Sequence, residues 1–71
     1  MLKRDVVLGK HYAVKWHDGR FTVVQIIDES RYGGYNAINL RSGRNVRIKS
    51  AAKLRYEVRN IVGTRKWEKV A

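Results

Sequence analysis

Six glycines, at positions 9, 19, 33, 34, 43 and 63, and no proline divide this 71-residue chain into short segments rich in Val, Ile, Tyr, Phe and Trp. Glycine accepts the positive φ that tight turns need. Short β-branched and aromatic segments bounded by it read as strands joined by hairpins. The pattern predicts an all-β fold of five short strands.

The first strand is expected over His11 to His17, with Tyr12, Val14 and Trp16 on one face and Ala13, Lys15 and His17 on the other. Asp18-Gly19 predicts a two-residue hairpin turn in which both positions take positive φ. The second strand, Arg20 to Asp28, is apolar on both sides through Val23, Val24, Ile26 and Ile27. A strand of that kind serves two packed layers when it bends, as a small closed barrel requires. A loop follows over Asp28 to Gly34, then a third strand over Tyr35 to Leu40. On it Asn36, Ile38 and Leu40 face one way and Tyr35, Ala37 and Asn39 the other. Arg41-Ser42-Gly43-Arg44 turns the chain into a fourth strand, Asn45 to Lys49. Ser50–Ala52 is too short for an α-helix and too poor in β-branched residues for a strand, so one 3₁₀ turn is expected there. Leu54 to Val58 makes the fifth strand. Residues 1–8 then form an N-terminal arm, 9–59 the barrel and 60–71 a C-terminal extension. The extension reads equally as a short sixth strand near Ile61-Val62 or as an amphipathic end in which Trp67 docks.

A chain this short buries only about 60% of its unfolded surface on folding, so its core is small. It has no cysteine, and its two histidines, His11 and His17, stand apart from any cluster of ligands. Stability is expected from a well-closed sheet, and oligomerisation is a further route. Met1 to Asp5 lacks the apolar run of a secretory signal and no segment reaches about 18 apolar residues, which predicts a soluble, cytoplasmic protein.

Charge is the second constraint. The formal net charge is +10, split as +2 over residues 1–40 and +8 over residues 41–71. From Arg41 to Arg59 there are seven basic residues and one acid, Glu57. Apolar Val46, Ile48, Leu54, Tyr56 and Val58 alternate with Arg47, Lys49, Lys53, Arg55 and Arg59, so two strands are expected to bury one edge and present a cationic one. With Arg41 and Arg44 at the hairpin tip, these side chains form a predicted ridge of cations about 6 to 7 Å apart along each strand. That interval suits successive phosphates. Arginine predominates, and its planar fork binds phosphate or guanine in bidentate fashion. Tyr35 and Asn39 lie beside the ridge, with Asn36 and Tyr32 near them. Tyrosine next to arginine stacks unpaired bases, and asparagine reads a base edge. The plain alternatives are a solvated basic face that protects an edge strand, pairing with backbone for Asn36 and Asn39 and, for Tyr35, a place in the core.

Laid out in this order, Tyr12-Ala-Val-Lys-Trp16, Asp18-Gly19-Arg20-Phe21, the long strand Thr22 to Ile27 and the closing Ile48-Lys-Ser-Ala-Ala-Lys-Leu-Arg55 resemble the SH3-like small barrels and, within them, the Tudor-like branch. The stretch from Gly33 to Arg55 is also similar to short uncharacterised bacterial and phage proteins. The Tudor-like resemblance implies an aromatic cage for a methylated cation, with Trp16, Phe21 and Tyr32 as its walls. The expected tip arginines, Arg41 and Arg44, would repel such a cation, and Trp16 and Phe21 read more simply as packing residues.

Catalysis finds no foothold. Asp28 and Glu29 are adjacent in a loop and diverge, and no serine or threonine has a nucleophile's setting. His11 and His17 lie roughly 20 Å apart along a strand, too far to share a metal. Gly33-Gly34 lacks the helix and lysine of a nucleotide-binding loop. No cofactor is expected. The sequence thus predicts a non-enzymatic nucleic-acid-binding protein, DNA or RNA, with mainly electrostatic affinity. The alternative is an interaction module docking an acidic protein.

Overall fold

Antiparallel pairing of neighbouring segments builds almost all of the molecule. In the computed structural model, which describes residues 1–70, six strands run β1 (His11–Lys15), β2 (Phe21–Glu29), β3 (Tyr35–Asn39), β4 (Asn45–Ile48), β5 (Leu54–Asn60) and β6 (Trp67–Lys69). They form one sheet in the order β4-β3-β2-β1-β5-β6. Each strand is antiparallel to its neighbour, and the two end strands, β4 and β6, do not pair. The protein is therefore all-β, as expected, but its sheet is open and has six strands rather than five in a closed ring.

The sixth strand corrects the expectation for residues 60–71. Ile61 and Val62 leave the sheet and begin the β5–β6 turn, held by Ile61 N donating to the Lys66 carbonyl and Thr64 N to the Ile61 carbonyl, both at 3.0 Å. Trp67 docks, as one alternative held, and does so as the first residue of a strand. The 3₁₀ turn is also shifted by one residue. It spans Ala51–Lys53 with Ser50 at its N-cap, and a further 3₁₀ turn forms at Lys3–Asp5.

The β1–β2 turn differs from the expected two-residue form. Only Gly19 takes positive φ, at 86°, and no residue other than glycine does so among the described residues. Gly19 N donates to the Trp16 carbonyl and Trp16 N to the Arg20 carbonyl, both at 2.9 Å, giving a three-residue loop with glycine at its bulge. Asp18 instead uses its carboxylate, whose Oδ1 accepts from Arg20 N at 3.0 Å.

One face of the sheet curls around the core. Tyr12, Val14, Val24, Ile26, Ile48 and Leu54 are essentially fully buried there, joined by Tyr35, Ala37 and Ala51. Ile48 of β4 and Leu54 of β5 belong to this one cluster although three strands separate theirs in the ladder. The arm at residues 1–8 adds Met1 and Val6 to it. It is anchored by the Met1 amino group donating to the Leu54 carbonyl at 3.1 Å and by Val7 N donating to Tyr12 Oη at 2.8 Å.

Two irregularities interrupt the strand phase. Between β2 and β3 the register runs from Ile26 opposite Ala37 to Asp28 opposite Asn36, leaving Ile27 unpaired. Between β1 and β5 it runs from Ala13 opposite Tyr56 to Val14 opposite Leu54, leaving Arg55 unpaired. Each is a bulge, which lets alternation start afresh on its far side. Leu54 thus faces the core with Val14, whereas Tyr56 and Val58 lie opposite Ala13 and His11 on the reverse face.

Gly34 has φ of +73° and sits against β4: a Cβ there would overlap the Ile48 carbonyl oxygen and come within 2.7 Å of that of Lys49. Gly33 also has positive φ but open space around it. Gly34→Ala is expected to cost more than about 3 kcal/mol, and Gly33→Ala only the about 1–2 kcal/mol of backbone strain. Urea denaturation of both variants checks this; equal losses would refute the close approach. A second pair separates two buried tyrosines. Tyr12→Phe removes the acceptor of Val7 N and should lower stability by about 1–2 kcal/mol. Tyr35 Oη is buried without a hydrogen-bond partner, so Tyr35→Phe should instead gain about 1 kcal/mol in the same assay.

Candidate nucleic-acid interface

The charges predicted to form one ridge are dispersed, four of the seven over three sites and Arg44, Lys49 and Arg59 outside them. The reason is topological: β4, which carries Arg47, and β5, which carries Arg55, are separated in the sheet by β3, β2 and β1. At the first site Arg47 lies opposite Asn36 on the reverse face, and its Nη2 donates to the carbonyls of Tyr32 and Gly33 at 2.9 and 3.2 Å. Its guanidinium therefore ties down the β2–β3 loop. Asn36 Nδ2 donates to Asp28 Oδ1 at 2.7 Å beside it, so this part of the surface is largely self-satisfied.

The second site gathers Lys15, Lys53 and Arg55 around Trp16, His17 and Ser50, lining an open depression of about 450 Å³. The bulge at Arg55 and the 3₁₀ turn at Lys53 bring these cations to the end of β1. Trp16 packs against the core, and its Nε1 donates to Thr22 Oγ1 at 2.9 Å. Lys49 and Arg44 stand exposed elsewhere, Lys49 beside Gly34 and Lys3, and Arg44 in the β3–β4 turn.

The third site is the reverse face of β2, β1, β5 and β6, where Arg41 stands. Ala13 and Val58 are 4% and 5% exposed but lie outside the main core cluster. They form the floor of a second apolar layer covered by His11, Phe21, Tyr56 and Trp67. His11 and Trp67 rings meet at 5.0 Å between centroids, and Phe21 and Tyr56 at 6.3 Å. Lys69 Nζ stands 5.1 Å over the Tyr56 ring and Lys15 Nζ 6.0 Å from that of Phe21. Open grooves run beside these rings, the largest of about 680 Å³, with Arg41 and Arg65 in its wall. The apolar outer residues of β2 thus belong to a second face of one sheet, in place of the second layer of a closed barrel.

Alternation in the sequence does not mark this face, although Phe21, Val23, Tyr56, Val58 and Trp67 are all apolar or aromatic. The signal was the double-sided apolarity of β2, which has no need of a reverse layer unless something covers it. The aromatic candidates fare differently from one another. Tyr35 is 3% exposed and is a core ring, so it has no face to offer a base. Asn39 is half-buried, and its Oδ1 accepts from Arg41 N and Ser42 N at 2.9 and 3.3 Å, capping the hairpin turn. Trp16 and Phe21 lie on opposite faces of the sheet, and Tyr32 lies in the loop past Glu29, at the other end of β2 from Phe21, a strand of roughly 26 Å by its rise per residue. The three do not converge on one cage.

The acids are mostly occupied. Glu68 pairs with Arg59, Glu57 with Lys10 and Asp18 with Arg20, so three of the sixteen basic residues are in ion pairs among the described residues. Of these three, Arg59 belongs to the predicted ridge and is paired with Glu68, whereas Lys10 and Arg20 lie outside it. Within the described residues no helix is long and apolar enough to cross a membrane. Comparison with protein-family models, with curated proteins and with solved structures yields no match.

Arg47→Lys keeps the charge but loses the fork that spans two carbonyls. It is expected to change global stability by less than about 1 kcal/mol while speeding tryptic cleavage after Arg31 in the loosened loop. An unchanged cleavage rate would show that the loop is held without the guanidinium.

Proposed function

We propose that this chain is a small, non-enzymatic nucleic-acid-binding protein whose affinity is mainly electrostatic and whose sequence preference is weak. The observation that carries the reading is the imbalance of pairing. Arg41, Arg44, Lys49, Lys53 and Arg55 are all exposed, and none is in an ion pair with a carboxylate. A merely solvated face normally intersperses both signs, because unpaired like charges repel one another and cost the compact state stability. A polyanion relieves that repulsion and releases its own counterions on binding. Arg47 contributes charge from a fixed position, since its guanidinium is already held by two carbonyls.

The finer fold reading, an SH3-like barrel in an open form, belongs to the same proposal. Support for it comes from the single core cluster shared by β4 and β5 and from the 3₁₀ turn that joins them. The several cationic sites point in different directions around such a body. They favour contact with a flexible or wrapped polyanion over docking on one flat surface.

If about four to six phosphates are neutralised on duplex DNA, log K should fall against log salt with a slope of about −4 to −5. The double variant Lys53→Glu/Arg55→Glu should reduce the magnitude of that slope by about 2 and weaken binding uniformly across sequences. Fluorescence anisotropy between low and physiological salt measures both. A flat salt dependence rejects the proposal. So does a stoichiometric complex with an acidic protein that survives nuclease and carries no absorbance excess at 260 nm.

A further inference from the structure

The reverse face of β2, β1, β5 and β6 combines three properties that electrostatics alone does not require. It exposes aromatic rings, it leaves an open groove beside them, and it surrounds that groove with cations. Phe21 is 54% exposed although it sits in a strand, and Tyr56 and Trp67 are half-buried. Arg41, Arg65 and Lys69 line the same grooves, and no carboxylate does so among the described residues. The larger groove, at about 680 Å³, falls within the range of about 300–1,000 Å³ in which small-molecule sites lie.

We propose that this groove, together with the smaller one beside it that shares Phe21 and Trp67, is a stacking site for the bases of a single-stranded nucleic acid, with Phe21 and Trp67 as stacking faces, and with Arg41 and Arg65 of the larger groove and Lys69 of the smaller one as phosphate contacts. The proposal rests on the nucleic-acid reading above and deepens it by naming the strand state. The geometry selects among occupants. A second copy docking face to face would set these cations against the same cations of its partner, since a two-fold interface brings a patch onto itself. A duplex keeps its base faces stacked on one another and offers the rings only its backbone. An unpaired strand offers both a negative backbone and free π-faces, which every base has, so the contact tolerates sequence. Lys69 and Lys15, already placed over the Tyr56 and Phe21 rings, show that cations and π-faces share this surface.

The test uses the full chain, an oligothymidylate of about 15 nucleotides, an abasic oligomer of equal length and charge, and a duplex of matched length. Affinities are read by anisotropy at one moderate salt concentration. Wild-type protein is expected to bind the oligothymidylate at least about 10-fold more tightly than the abasic oligomer, in keeping with the contribution of one stacked base. Phe21→Ala, at an exposed position, is expected to abolish that difference while changing duplex affinity less than about 2-fold. The wild-type comparison stands even if the variant folds poorly. Equal, salt-dependent binding of both oligomers by the wild type overturns the stacking site and leaves the electrostatic reading intact. Absence of binding to every probe defeats both. A wild-type dimer that Phe21→Ala converts to monomer also overturns the stacking site, because the groove is then the dimer's own interface.

Discussion

One unpaired residue, Arg55, decides what each side of this sheet can do. Without the bulge, strict alternation would send Leu54, Tyr56 and Val58 to one face. With it, Leu54 closes the core against Val14, while Tyr56 and Val58 pass to the far side opposite Ala13 and His11. The reverse aromatic layer exists because of that shift. The bulge also turns the Arg55 guanidinium toward Lys15 and Lys53 at the end of β1, so one backbone irregularity generates both a cationic site and an aromatic one.

A core this small must be closed at its ends as well as filled. The N-terminal arm does this: Met1 and Val6 pack against the cluster, and the Met1 amino group and Val7 N each donate a hydrogen bond to it. Tyr12 is central to this arrangement. Its ring is fully buried and its hydroxyl still reaches the arm, so one side chain serves the core and the closure at once. Near Lys3 of the arm, Gly34 lets β3 start flush against the end of β4, a fit that no larger residue reproduces.

Much of the strand pattern was legible. Glycine spacing and β-branched composition located β1 to β5 to within a residue or two, and the cores of β1 and β4, with Tyr12, Val14 and Ile48 buried, follow simple alternation. What alternation cannot show is where it restarts. Both bulges lie inside runs that look regular, at Ile27 and Arg55. Leu54 and Tyr56 therefore read as neighbours on one face when they are on two. Topology was the other hidden quantity. A ridge drawn across β4 and β5 assumes that strands adjacent in sequence are adjacent in space, whereas the turn at Ala51–Lys53 carries the chain past three strands to the far side of β1. Trp67 was recognisable as a docking residue, but its strand could not be seen because β6 is three residues long and its partner, Arg59–Glu68 pairing included, lies across a turn.

On the nucleic-acid reading proposed above, the separation of the cations has a consequence for affinity that a single ridge would not have. Charges on one strand at fixed intervals would read one rigid backbone, and their contributions would stand or fall with register. Here Arg47 is immobilised by loop carbonyls, Lys15, Lys53 and Arg55 cluster at the end of β1, and Arg41, Arg65 and Lys69 edge the aromatic face. Sites that diverge in this way act nearly independently, so substitutions at distant sites should add rather than couple. A partner that meets more than one of them must bend around an object with principal extents of 36 × 24 × 22 Å. Bending a stiff duplex over so short a path costs several kcal/mol by elastic estimates of about 1–6 kcal/mol for a site of 20–30 base pairs. A flexible single strand bends at far smaller cost. The dispersion of charge and the exposed rings therefore favour the same kind of partner for separate physical reasons, one mechanical and one chemical.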